Sequence, residues 1–158
     1  MFRVTVIAVG RLKEPWLRDG FAEYQKRLSA YCDLSVVEVP EHRLPDDPSP
    51  AQIQKGLAQE GRAILEKVGK TPFAALCIEG KELSSAAFAR FLEERQQAAG
   101  SLAFVIGGSF GLSPEVKEQA AARLSLSPMT FPHQLFRVVL AEQIYRGFSI
   151  LGGGKYHK

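Results

Sequence analysis

The chain has 158 residues, 46% hydrophobic and 23% charged, which suits one globular domain and is too little for two. Twenty lysines and arginines against 17 acidic residues leave a net charge of +3, which permits a nucleic-acid or phosphate partner without requiring one. No apolar run approaches the roughly 20 residues of a membrane span, Met1–Val6 lacks the layout of a signal peptide, and Cys32 and Cys77 have no partner at metal-ligand spacing. The expectation is a cytoplasmic protein with two buried free thiols, and neither a membrane protein, a secreted disulfide scaffold nor a zinc finger.

Along the chain two patterns alternate. The β-branched run Phe2–Val9 predicts a first strand ending at Gly10. Trp16, Leu17, Phe21, Tyr24 and Leu28 share one helical face between Pro15 and Tyr31. Leu34–Val39 reads as a second strand, and Glu41–Pro50, with three prolines and two aspartates, as a loop. A helix follows over about Ala51–Val68, stopped by Gly69. Phe73–Ile78 is nearly all apolar, as a central parallel strand buried on both faces should be. Ser84 or Ser85 caps a third helix running to about Ala99, and Leu102–Ile106 is a fourth apolar strand. Ser113-Pro114-Glu115 opens a helix expected to end near Arg123. Leu124–Leu126 reads as a short fifth strand, and His133–Ile150 as the last helix. Strands alternating with helices predict an α/β domain, Rossmann-like, with a mostly parallel sheet of five or six strands spanning the whole chain. Such sheets bind ligands beyond the carboxyl ends of their strands, where the strand order reverses.

Four segments at such places carry candidate chemistry. Ile106-Gly107-Gly108-Ser109-Phe110-Gly111-Leu112 lies between a strand and a helix, and its glycines let backbone amides approach a ligand. It matches neither a dinucleotide fingerprint nor a P-loop, so a ligand turn and a merely tight turn stay open. In Leu126-Ser127-Pro128-Met129-Thr130-Phe131-Pro132-His133, two prolines stiffen a loop that can hold a small molecule on its backbone groups. Met129 and Phe131 there offer apolar contact, and a lone His133 suits structure as readily as chemistry. The last helix is apolar nearly all round, as expected if one side meets the core and the other a second subunit, and Glu142 and Arg146 sit four apart on it. The tail Gly152-Gly153-Gly154-Lys155-Tyr156-His157-Lys158 joins cations to rings that can stack on a base, or it is a frayed end. No paired carboxylates at a strand end, nucleophilic triad or metal cluster stands out, so the reactivity is expected to come from a cofactor.

These blocks together resemble a known family. Ala8-Val9-Gly10-Arg11-Leu12-Lys13, Gly20-Phe21-Ala22-Glu23-Tyr24, Leu76-Cys77-Ile78-Glu79-Gly80-Lys81, Phe104–Leu112, Leu126–Gln134, Arg137–Arg146 and Tyr156-His157 are similar to the small bacterial methyltransferases that act on N3 of a pseudouridine in large-subunit ribosomal RNA. These belong to the SPOUT superfamily and use S-adenosylmethionine. The resemblance covers the whole chain and implies a deep C-terminal trefoil knot, a homodimer in which the tail of one subunit reaches the pocket of the other, and ribosomal RNA as partner; the last helix is the expected dimer face and the assembled ribosome the expected substrate. It implies cofactor contacts at Leu76, Gly107, Gly108 and the loop Leu126, Ser127, Pro128, Met129, Thr130, Phe131 and Pro132. It places Tyr156 and His157 at the target site and His133, Arg137 and Arg146 near the cofactor or RNA; the charges add Arg137 as a candidate catalytic partner and Lys155 and Lys158 as RNA contacts. Neither a metal nor a membrane is implied. The triplet Gly152-Gly153-Gly154 departs from the pattern by carrying more glycine. A dinucleotide-dependent oxidoreductase is the rival from another enzyme class. It fits poorly, because the glycines come late and no acidic ribose partner stands near Phe131. A non-enzymatic ribosome-binding factor of the same shape is the other rival.

Overall fold

The computed structural model describes residues 1–158. Ten elements alternate strictly: β1 (Arg3–Val9), α1 (Pro15–Leu28), β2 (Asp33–Val39), α2 (Pro50–Val68), β3 (Phe73–Glu82), α3 (Ser85–Ala98), β4 (Ser101–Ile106), α4 (Pro114–Gln119), β5 (Ala122–Ser125) and α5 (His133–Leu151). Helix starts follow local chemistry. Ser49 and Gln52 close a reciprocal capping box ahead of α2. Ser84 and Ser113 each accept a hydrogen bond from the amide three residues on, Ala87 and Val116. Proline occupies the first turn of α1, α2 and α4, where its missing N–H costs nothing.

The sheet has five strands in the order β2-β1-β4-β3-β5, and every pairing is parallel. Val4 of β1 sits between Leu34 of β2 and Leu102 of β4. Alternate residues of each strand point to opposite faces. Val4, Val6, Ala8, Leu102, Phe104 and Ile106 therefore face α1, α3 and α5 in the larger apolar cluster. Ile7, Val9, Ala103 and Val105 meet Ile64, Val68 and Val116 of α2 and α4 in the smaller one. Two helical layers thus sandwich the sheet. The near-continuous apolar strands are the direct consequence, since each central strand is buried on both sides.

The boundaries differ from the sequence reading in the last third. α4 stops at Gln119 rather than near Arg123, because the Ala121 amide joins the sheet by donating to the Phe73 carbonyl at 2.9 Å. Arg123 consequently lies in β5, and Leu126 falls beyond that strand. β3 runs four residues past Ile78 to Glu82. The expectation of two buried thiols holds only for Cys32, whose pKa is pushed up to about 12 by burial and by Asp33 beside it. Cys77 is half-buried, and both are free.

Candidate functional site

Above the carboxyl ends of β3, β4 and β5 lies a crevice of about 550 Å³. Its floor is Leu76, Ile106 and Leu124, the last inward residues of three adjacent parallel strands. Chain order reverses at this place, since β4 inserts between β1 and β3 while β5 lies beyond β3. Three connections make the walls: the end of β3, the glycine turn after β4, and the proline loop between β5 and α5.

The first wall arises from an irregular ladder. Leu124 pairs with Leu76 and again with Lys81, so Cys77, Ile78, Glu79 and Gly80 form an excursion from β3. The chain can close that tightly only because position 80 is glycine. A Cβ there would lie 2.7 Å from the Leu124 amide nitrogen and carbonyl oxygen, inside van der Waals contact. The excursion leaves Ile78 81% exposed. It also carries Glu79 to Lys117 of α4 as an ion pair at 2.5 Å. The hydrogen bond from Lys117 holds the Glu79 carboxyl below the usual carboxylate range.

In the second wall, Gly107 is buried and lies against the backbone of Gly111, where any side chain would collide. Gly108 and Gly111 pair across the turn, which presents a half-exposed Phe110 to the crevice. The third wall is the stiff loop. The Ser125 hydroxyl donates to the Ser127 carbonyl at 3.1 Å, and the Ser127 hydroxyl accepts from the Met129 amide at 2.9 Å. Met129 is 75% exposed, and the Phe131 ring lies 6.2 Å from that of Phe136. A loop whose turns are closed by its own side chains, with apolar residues left bare, offers a ready-made cover for a flat ligand.

The structure thus brings Leu76, Gly107, Gly108, Leu126 through Pro132 and His133 around one crevice. Cys77, Glu79, Lys117, Phe110 and Phe136 complete it. Sequence reasoning missed the Glu79–Lys117 pair, because 38 positions separate its members and only the β3 excursion joins them.

The tail residues gather elsewhere, on the outer side of α5. Glu142 Oε1 accepts from Arg146 Nε at 2.9 Å, from Arg146 Nη2 at 2.6 Å and from the Tyr156 hydroxyl at 3.1 Å. The Tyr156 ring stands edge-on to Tyr145 at 4.8 Å and lies 4.7 Å beneath the Arg146 guanidinium. Its hydroxyl also lies 3.3 Å from that of Tyr24. Burial raises the Tyr156 pKa, and Tyr24 and the Glu142 carboxylate raise it further, so the phenol keeps its proton. Arg146 Nη1 donates to His157 Nδ1 at 3.1 Å, which places the proton of neutral His157 on Nε2. Lys155 and Lys158 are exposed. None of these residues lines the crevice of its own chain.

Arg137 is 2% exposed and lies under the ends of β1 and β2, not in the crevice. Its Nη1 meets Glu38 Oε2 at 2.6 Å and its Nη2 donates to the Gly10 carbonyl at 3.3 Å. Burial pushes the Glu38 carboxyl up, but hydrogen bonds from Arg137 and the Leu12 amide and the nearby Arg137 and Arg11 charges outweigh it, and the net shift is downward.

A parallel sheet ending in a glycine turn and a stiff proline loop defines a class before it defines a protein. The fold is that of solved bacterial methyltransferases. A probable methyltransferase from Bordetella pertussis Tohama I is similar at 16% identity and TM-score 0.54, over 92% of this chain and 96% of its own. A tRNA methyltransferase from Aquifex aeolicus is similar at 13% identity and TM-score 0.54, over 92% of this chain and 69% of its own. The family model described as predicted SPOUT methyltransferase matches residues 2–157, and the chain belongs to that family. Proteins named ribosomal RNA large subunit methyltransferase H are similar along their whole length. That from Carboxydothermus hydrogenoformans is 49% identical, over 98% of this chain and 99% of its own. That from Ligilactobacillus salivarius is 48% identical over the same shares, and that from Exiguobacterium sibiricum 47% over 99% of each.

Proposed function

We propose that this chain methylates N3 of a pseudouridine in large-subunit ribosomal RNA, with S-adenosylmethionine as donor and the assembled ribosome as substrate. The observation that carries this reading is the full-length identity of 47–49% to ribosomal RNA large subunit methyltransferases H, in a chain whose crevice is built for a small apolar-faced ligand. The residues fit the donor. The volume of about 550 Å³ lies within the range of small-molecule sites. Leu76, Ile106, Phe110, Met129 and Phe131 supply apolar faces for a purine, and the glycine turn and the loop 126–132 supply backbone donors and acceptors. When bound, the donor brings a methyl carbon already activated by a sulfonium. The protein's work is then chiefly alignment, which supplies about 7–11 kcal/mol when reacting atoms are held in line.

Leu76, Gly107, Gly108 and the loop 126–132 hold the donor, and His133 stands at the edge where RNA enters. Tyr156, kept protonated with its hydroxyl donating to Glu142, orients the base by stacking. N3 must lose its proton. His157 Nδ1 takes it after releasing Arg146, since that lone pair is engaged by the guanidinium in the resting arrangement. The Arg137 charge is already engaged by Glu38, so Lys158 is the cation left to favour the anionic base.

The tail lies away from the crevice of its own chain, and a second copy completes the site in this reading. No residue of α5 is fully exposed, yet Leu135, Val139, Glu142 and Arg146 form one half-buried stripe along it. That stripe is the dimer face, and it carries the tail of one subunit to the crevice of the other. Mass spectrometry of ribosomal RNA from cells lacking the protein, before and after adding it back, tests the function. One pseudouridine should lose and regain a methyl group, and unchanged RNA would overturn the reading.

A further inference from the structure

We infer that the loop Gly10–Lys13 between β1 and α1 is a preorganised docking element for RNA phosphates, with Arg11 and Lys13 as its contacts. This rests on the RNA-methylating reading above. Arg11 and Lys13 of the loop are exposed, yet six of its eight backbone polar groups are hydrogen-bonded. The Gly10 amide donates to Val39 at 2.9 Å and its carbonyl accepts from buried Arg137. The Leu12 amide donates to Glu38 at 3.0 Å, and the Lys13 amide to Gln134 at 3.4 Å. Arg18 Nη1 closes the Lys13 carbonyl at 2.9 Å. Side chains from β2, α1 and α5 thus converge on four residues of turn.

Closing a strand–helix turn does not need this investment. Burying Arg137 is costly, and its Nε has no partner at all. What the clamp achieves is a fixed display. Leu12 packs on the core, while Arg11 and Lys13 on either side of it are exposed and make no direct ion pair, although the Arg11 charge reaches Glu38. Trp16, 63% exposed, follows in the first turn of α1 and adds a ring on which a base can stack. The loop is tied toward the crevice through Gln134, which accepts from the Lys13 amide and is next in sequence to His133 of the crevice wall. Glu14 and Asp19 are exposed in the same segment, so the loop offers two discrete contacts rather than a broad positive field. In this arrangement Arg137 and Glu38 are positioning residues. They act through the loop and touch no substrate.

The test compares the full-length protein with Arg11→Ala, Lys13→Ala and the double variant, using assembled ribosomes as substrate and S-adenosylmethionine calorimetry as the control. Both changes are at exposed side chains and should fold. Each should raise KM for ribosomes about three- to tenfold with kcat and donor affinity unchanged. Each should also lower the slope of log affinity against log salt by about one. Wild-type KM and salt slope in the double variant would overturn the inference. So would a loss of dimer in sedimentation, which would assign the loop to subunit contact. Ribosome binding by filter retention separates the two readings: loop-dependent binding without any methylation would sink the enzymatic function and leave the docking loop standing.

Discussion

Two carboxylates show how one residue type takes opposite electrostatic roles. Glu38 is held below its ordinary pKa by Arg137, the Leu12 amide and Arg11, against the upward push of burial. A depressed pKa means that the pair stabilises the fold fully above about pH 4.5 and loses that contribution as pH falls through the lower folded value. Acid unfolding followed by circular dichroism should therefore show a component that disappears in Arg137→Met. Replacing Glu38 by Ala is the harsher change. It strands a guanidinium 2% exposed, at a cost of about 3 kcal/mol read from denaturant midpoints. Glu60 is the reverse case. Burial raises its pKa, opposed by the hydrogen bond from the His42 amide at 2.9 Å, so the folded state holds the proton more tightly than the unfolded. Its contribution is present below about pH 4.5 and is lost as pH rises through the raised value. Glu60→Gln keeps an acceptor for His42 and removes the charge. The expected result is a thermal midpoint at pH 7 equal to or above that of the unsubstituted protein, and a clear drop at pH 7 would contradict the sign.

At the scale of elements, the excursion of β3 is the most exacting piece of construction. Gly80→Ala places a methyl group against the Leu124 backbone, which cannot swing aside as a flexible side chain would. A loss of about 1–3 kcal/mol is expected, together with weaker donor binding, because Glu79 and Ile78 ride on the same segment. Calorimetry on one sample reads both. α5 makes a second prediction. If its half-buried stripe is the subunit contact, Val139→Asp should shift sedimentation from dimer to monomer while circular dichroism stays unchanged. These elements also show where sequence is legible. β1, β4 and the first part of β3 are largely apolar runs, and Ser84 and Ser113 mark helix starts, so their reading needs nothing beyond local pattern. The end of α4 was hidden because alanine and arginine suit a helix, and only the distant Phe73 carbonyl draws Ala121 into the sheet. Glu79–Glu82 was hidden because the run Glu-Gly-Lys-Glu carries no hydrophobic alternation and only its pairing with β5 makes it strand. The glycine turn and the proline loop were readable as backbone chemistry. The Glu79–Lys117 pair and the Arg137–Glu38 clamp were not, since each joins residues that only the tertiary fold makes neighbours.

For the whole molecule, strand order sets how the protein comes together. The middle of the sheet joins Val4 to Leu102, and β5 closes on β3 last in sequence. Such remote pairings predict refolding in the range of milliseconds to seconds rather than microseconds, measurable by stopped-flow fluorescence of Trp16. The three crevice walls come from three separate connections, at residues 77–80, 107–111 and 126–132. No fragment that stops short of the third wall carries the complete crevice. Ligand grip and native order are therefore linked quantities. A donor present at a hundred times its dissociation constant should add about 2.7 kcal/mol to the free energy of unfolding. A melting curve that climbs with donor concentration would then serve as a binding isotherm, with no RNA in the tube.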